Sequence, residues 1–241
     1  MEDDGFTIVT GKKAWKATTS QRYKKEENGF VRMSGTKEDI EKSMTSAKQS
    51  ILASGIPKFV KNRLQELTEN LKISKIFIVG NGHFDWKDEQ GAHQLALFLE
   101  ISRIFNAKIV FQEPVITKEE KEWLRKLENV EIRENSNCQI DLFDENEPEQ
   151  VSILVMVHGE HWILNKILEH NWSILQKMPQ NLIFIGNDYT NVYWETLTWL
   201  RAQNPRIDEF TEKCDIEWLP RVYEPHPHAF THTAIVSAKR E

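Results

Sequence analysis

Two apolar periods alternate along this chain from about residue 36 onward. Ile40, Met44, Ala47 and Ile51 follow one another at spacings of four, three and four, which is the pattern of one buried face of an α-helix. Thr36, with Asp39 three residues on, forms a capping-box-like start, and Gly55 marks the end. Pro57 opens a second helix with Val60, Leu64, Leu67 and Leu71 on one face. Thereafter short apolar runs of strand length alternate with helical stretches. Residues 75–79 read as a buried strand ending at Gly80, and residues 89–105 as a helix that is apolar nearly all round. Residues 108–111 form a second strand, and Thr117 with Glu120 caps a helix carrying Trp123, Leu124 and Leu127. Residues 130–132 make a third strand, 134–150 an acidic loop, 151–157 a buried strand, 162–172 a helix and 182–185 another strand. A helix over 196–201 and strands over 216–219 and 230–238 complete the pattern.

Near-continuous apolar strands separated by helices predict a mostly parallel sheet covered on both faces. Right-handed crossovers then make the expected fold α/β and Rossmann-like: a doubly wound sheet with an N-terminal helical layer and antiparallel C-terminal strands. The expected layout is a flexible basic arm over residues 1–36 and a single domain over 37–241, with the helical layer at 37–72 and the sheet core at 73–241.

The arm differs in charge from the rest. Lys12, Lys13, Lys16, Arg22, Lys24 and Lys25 occur with no acid among them. A solvated tail and a nucleic-acid-contacting or targeting arm both fit that composition. Phe6, Ile8 and Val9 can add a short strand or docking motif. The chain as a whole carries a formal charge of −6 across 241 residues, which argues against the entire domain acting as a phosphate-binding surface. Cys138 and Cys214 are the only thiols, too few for a disulfide framework or an all-thiolate zinc site. The acidic start and strand-length apolar runs predict neither a signal peptide nor a membrane span. A cytoplasmic or nuclear protein is expected.

In an open doubly wound sheet, ligands bind beyond the carboxyl ends of the strands where the strand order reverses. The first and fourth core strands are neighbours at that point in the commonest order. Their ends here are Gly80-Asn81-Gly82-His83 and His158-Gly159-Glu160-His161. The glycines allow a tight turn and close approach of a ligand, although a purely structural turn uses them equally. The third glycine of a dinucleotide fingerprint is missing, and Asp85, Asp88 and Glu89 place negative charge where a phosphate would sit. Glu113, after the second core strand, stands where such folds place a ribose-binding carboxylate; a solvated carboxylate before Pro114 is the alternative. Gly80, Gly82 and Glu113 together resemble an adenosine frame of the methyltransferase type. His158, Glu160 and His161 are candidates for acid–base work or, with His83, for metal ligation. They equally suit hydrogen bonding to loop backbone, and no metal is expected. His226, His228 and His232 form a second histidine-rich segment with the same alternatives.

These segments resemble the SRR-like ("sensitivity to red light reduced") domain family. The resemblance runs through residues 79–84 and 94–97, then Phe111-Gln-Glu-Pro114, residues 156–161, the Asn-Trp of Leu168-Glu-His-Asn-Trp172, Ile185-Gly-Asn-Asp188, and residues 229–233. Where the family shows Met-Pro-His-Cys, this chain has Met156-Val-His-Gly159, and Glu113 replaces Asp; no thiol chemistry transfers to position 159. The resemblance implies a regulatory protein, linked in other members to light signalling, the circadian clock or haem biosynthesis, with no established reaction. The candidate ligand-binding residues are Gly80, Asn81, Gly82, His83, Glu113, His158, Asn187 and Asp188. S-adenosylmethionine and haem are the cofactors to consider.

Overall fold

The computed structural model describes residues 23–26, 29–69, 71–87, 89–135, 137–144, 147–220 and 222–239. The chain divides into two units, Met1–Gly35 and Thr36–Glu241. In the first, β1 (Tyr23–Glu26) and β2 (Gly29–Arg32) pair as an antiparallel hairpin. Each strand is only four residues long, too short to show a period in sequence. Phe6, Ile8, Val9 and the basic residues from Lys12 to Arg22 lie outside the described residues.

The second unit opens with α1 (Lys37–Ser54). Its capping box is present in full: Asp39 N–H donates to Thr36 Oγ1, and Thr36 N–H donates to the Asp39 carboxylate. Gly55, at φ 76°, closes α1 in the left-handed conformation and is also the N-cap of α2 (Ile56–Thr68). The core elements follow as β3 (Lys72–Val79), α3 (Gln90–Phe105), β4 (Lys108–Gln112), α4 (Lys118–Leu124), β5 (Val130–Ile132), β6 (Gln150–Met156), α5 (His161–Leu175) and β7 (Leu182–Asn187). Three short helices come next, α6 (Val192–Thr196), α7 (Thr198–Gln203) and α8 (Pro205–Thr211), before β8 (Cys214–Trp218) and β9 (Thr233–Ala238). One helix over 196–201 was expected here. Leu197 (ψ 57°) and Asn204 (ψ 53°) leave the helical region, and Pro205 restarts it.

The seven strands lie in the order β5-β4-β3-β6-β7-β9-β8. β3 pairs in parallel with both β4 and β6, so the strand order reverses at β3 as expected. β9 runs antiparallel to β7 and β8. Consecutive residues of β3 feed opposite cores. Ile76 and Ile78 pack in a cluster with Ile40, Val60, Leu95 and Phe98 from α1, α2 and α3. Phe77 and Val79 join Leu164, Leu168 and Phe210 from α5 and α8. Such two-sided burial accounts for the unbroken apolar runs in the carboxyl halves of β3 and β6, residues 76–79 and 153–156. No helix among the described residues is long and apolar enough to cross a membrane.

Candidate functional site

The turn after β3 is built on two left-handed glycines, Gly80 (φ 69°) and Gly82 (φ 72°). No atom lies within 4 Å of where a Cβ would stand on either, so the space over the turn is open. Gly80 N–H donates to Gln112 O at 3.0 Å, extending the β3–β4 ladder by one residue. Gly82 N–H donates to Glu113 Oε2 at 2.7 Å, and Val115 N–H to Glu113 Oε1 at 3.2 Å. Glu113 therefore does reach the glycine turn, across 31 residues of sequence. Asn81 is buried, and its Nδ2 donates to Gly82 O and Gly91 O, each at 3.1 Å. A Cβ on Gly91 would meet His83 O at 2.4 Å and Asn81 O at 2.7 Å. The loop's own carbonyls thus crowd the first turn of α3, where a dinucleotide fold places pyrophosphate.

Glu120 anchors the rest of this loop, a role that sequence reasoning missed. Its carboxylate is fully buried and accepts from Phe84 N–H (2.6 Å), Thr117 N–H (2.8 Å) and His83 Nδ1 (3.1 Å). Burial alone would push its pKa up, but the bonds from His83, Thr117 and Phe84 outweigh it and hold the carboxyl below its usual value. The Thr117–Glu120 capping box was visible in sequence. That the same carboxylate also reaches back 36 residues to Phe84 was not. His83, Asp85 and Glu120 bring one imidazole and two carboxylates within 4.8 Å of one another. This grouping differs from the expected set of His83 with His158 and His161. Glu120's three protein donors give it a loop-building role without any ion.

The turn after β6 is organised from the other side. His158 adopts φ 57°, and its N–H donates to Asn187 Oδ1 at 2.9 Å. Asn187 Nδ2 donates to Gly159 O at 3.1 Å, so one amide clamps both residues. His158 Nε2 donates to Thr231 O at 2.8 Å. A Cβ on Gly159 would lie 2.4 Å from Met156 Cγ, which explains the glycine. Glu160 is the N-cap of α5 but makes no side-chain cap bond. His161 opens α5, with Nδ1 3.3 Å from the Tyr189 hydroxyl and its ring 5.0 Å from that of Trp194. Burial lowers its pKa, only partly opposed by Glu160, and so favours the neutral ring. Burial likewise pushes the Tyr189 hydroxyl far above its ordinary value.

The structure therefore joins Gly80, Asn81, Gly82 and His83 to Glu113 and Glu120, and joins His158 and Gly159 to Asn187. β3 and β6 are adjacent, yet the His83 ring turns toward α4 and the His158 ring toward β9. The two turns flank the switch point. Asp188 faces the far end of the sheet, where it accepts from Thr190 N–H (2.8 Å), Thr190 Oγ1 (2.7 Å) and Trp218 Nε1 (2.9 Å). The second histidine segment splits. His226 packs on His93 of α3 at 5.3 Å between ring centroids, whereas His232 O accepts from Asp188 N–H at 2.9 Å.

Comparison with solved structures returns proteins at low identity. The crystal structure of MtNAS in complex with MTA and tNA is 11% identical, covering 83% of this chain and 71% of its own, with a TM-score of 0.42. The N-methyltransferase NodS from Bradyrhizobium japonicum is 8% identical over 76% of this chain and 95% of its own, with a TM-score of 0.38. The precorrin-6y C5,15-methyltransferase from Geobacter metallireducens is 11% identical over 76% and 88%, with a TM-score of 0.36. These likenesses concern the fold. None of the curated proteins compared with the chain matches it. The SRR1 domain family model, in contrast, matches residues 60–237, which include both turns, Glu113, Glu120 and Asn187. With most of its length matched, this chain belongs to the SRR1 domain family.

Proposed function

We propose that this SRR1-domain chain is a regulatory protein that binds a small nucleoside-like ligand at the carboxyl edge of its sheet. The observation that carries the proposal is the 2.7 Å bond from Gly82 N–H to Glu113 Oε2 beneath an open two-glycine turn. It puts a carboxylate with spare acceptor capacity beside a surface on which a flat ligand can lie. Gly80, Asn81, Gly82 and His83 would form the floor, Glu113 would accept from ribose hydroxyls, and His158 and Asn187 would border the far side. The crowded first turn of α3 and buried Asp85 disfavour a pyrophosphate. Binding without turnover is favoured because both histidines among the acid–base candidates are already employed: His158 Nε2 holds Thr231 O, and His161 is packed between Tyr189 and Trp194. A signalling, circadian or haem-linked setting is what the family resemblance suggests for such a sensor. Haem fits His158 poorly, since its Nε2 would have to release Thr231 O to ligate iron.

A second reading is a transferase using S-adenosylmethionine, favoured by Glu113 at the end of β4 and by the reversed β9 inserted between β7 and the edge strand β8. That cofactor would supply an electrophilic methyl group. Glu113 and the glycine turn would hold its nucleoside, and Glu160, exposed at the N-cap of α5 without a side-chain cap bond, would serve as base.

A thermal-shift panel of adenosine, S-adenosylmethionine, NAD⁺ and haem tests these proposals. A ligand at 100-fold its Kd adds about 2.7 kcal/mol, or roughly 5–11 °C for a domain of this size. Stabilisation by adenosine or S-adenosylmethionine but not NAD⁺, lost in Glu113→Ala, is expected. Methyl transfer to any acceptor would select the second reading. No response to any adenosine compound, with a haem absorbance shift lost in His158→Ala, would overturn both.

A further inference from the structure

Beyond β7, on the side of the sheet away from Glu113, lies a cleft of about 420 Å³ between the ends of β7, β8 and β9. Its walls include Asp188, Thr190, Trp218, Phe230, His232 and Thr233. The volume falls in the range of small-molecule sites, which are largely apolar with a few convergent polar groups. Three features stand out here. Thr233 is 2% exposed, and its hydroxyl has no hydrogen-bond partner among the described residues. A buried hydroxyl left in that state costs stability that valine at the same position would not. Trp218 is 49% exposed although it is among the largest apolar side chains, and its Nε1–H is held by Asp188 Oδ2 at 2.9 Å, which fixes the plane of the indole. His232 sits at φ 54°, a conformation disfavoured for a residue with a Cβ.

We infer that this cleft is a second ligand site, for a small planar heteroaromatic or amidine-like group that is neutral or cationic. A flat ring would stack on the fixed indole of Trp218, a donor on the ligand would satisfy Thr233 Oγ1, and Phe230 would close the apolar side. Asp188 gives the cleft its formal charge, and none of the described residues lining it is Lys or Arg. Anions therefore lack a partner there, while a cation gains from both the carboxylate and the indole face. The site touches the loop after β6, because Thr231, which also lines the cleft, accepts the His158 Nε2–H at 2.8 Å.

Benzamidine and its anionic counterpart benzoate test the assignment on the full chain. The readout is the Trp218 indole N–H resonance, assigned by its loss in Trp218→Phe. Benzamidine should shift that resonance saturably and benzoate should not. Thr233→Val should weaken benzamidine about fivefold or more, the equivalent of one hydrogen bond, with a melting temperature equal to or above that of the parent. The proposal is overturned if benzamidine gives no saturable shift, if benzoate binds as well, if Thr233→Val binds as tightly as the parent, or if that variant melts lower.

Discussion

Removing the Glu120 carboxylate should unfasten the glycine turn from α4 and cost more than any surface substitution. In Glu120→Ala, Phe84 N–H and Thr117 N–H lose acceptors at 2.6 and 2.8 Å, and His83 Nδ1 loses an acceptor at 3.1 Å. Two buried charge-assisted bonds at about 1.5 kcal/mol each, plus a small contribution from the part-exposed His83, make a loss of about 3–4 kcal/mol. At roughly 2–4 °C per kcal/mol, the melting temperature should fall by about 6–16 °C. The pH dependence has a definite sign. The folded carboxyl titrates below its ordinary value, so its stabilisation is present above the unfolded value of about 4.3 and is lost as pH falls through the folded one. Glu120→Gln cannot titrate. The stability gap between the parent and Glu120→Gln should therefore be full at neutral pH and close below about pH 4.3. Calorimetric melting of the three proteins across that range checks both points. A fall of less than about 2 °C in Glu120→Ala, or a gap that does not narrow with acid, would refute the anchoring role.

Gly91→Ala should cost about 2–3 kcal/mol in urea denaturation, because its Cβ would meet backbone oxygen at 2.4 and 2.7 Å. Gly82→Ala has open space and only its φ of 72° against it, so about 1–2 kcal/mol is expected; the reverse order would be inconsistent with this geometry. Asn187→Ala removes the clamp on His158 and Gly159 and should cost about 1–3 kcal/mol, with His158 N–H exchanging faster with deuterium. Unchanged exchange would contradict it. His161 should titrate by NMR with a midpoint below its ordinary value of about 6.5, since burial disfavours its cationic form. Its contribution to stability should accordingly decline as pH drops below that value; a midpoint at or above it would disprove the burial argument.

Much of the fold was legible in the residue pattern because strongly apolar elements declare their own period. Ile40, Met44, Ala47 and Ile51 all proved buried on one side of α1, and both Thr-led capping boxes formed where their spacing placed them. The hairpin at 23–32 and helix α8 were not legible. The first is too short to show a period, and the second depends on Pro205 restarting a helix after Asn204. In the candidate site, glycine and histidine could be located by type and by the end of each strand. Their partners could not, since Glu113, Glu120 and Asn187 act over separations of about thirty residues.

The sequence by itself determined the strongly apolar core strands and helices and the glycine and histidine turns that follow β3 and β6, while the reversal of strand order at β3 followed from the commonest order of such sheets, which the structure adopts. Local periodicity and capping chemistry suffice for those elements, whereas right-handed crossovers alone leave several strand orders open. Only the tertiary structure decided where the side chains of those turns point. It sent His83 to Glu120, His158 to Asn187 and Thr231, and Asp188 to Trp218. A histidine or carboxylate in a turn takes whichever donor or acceptor the neighbouring loops bring within about 3 Å, and that proximity is set by packing across the sheet.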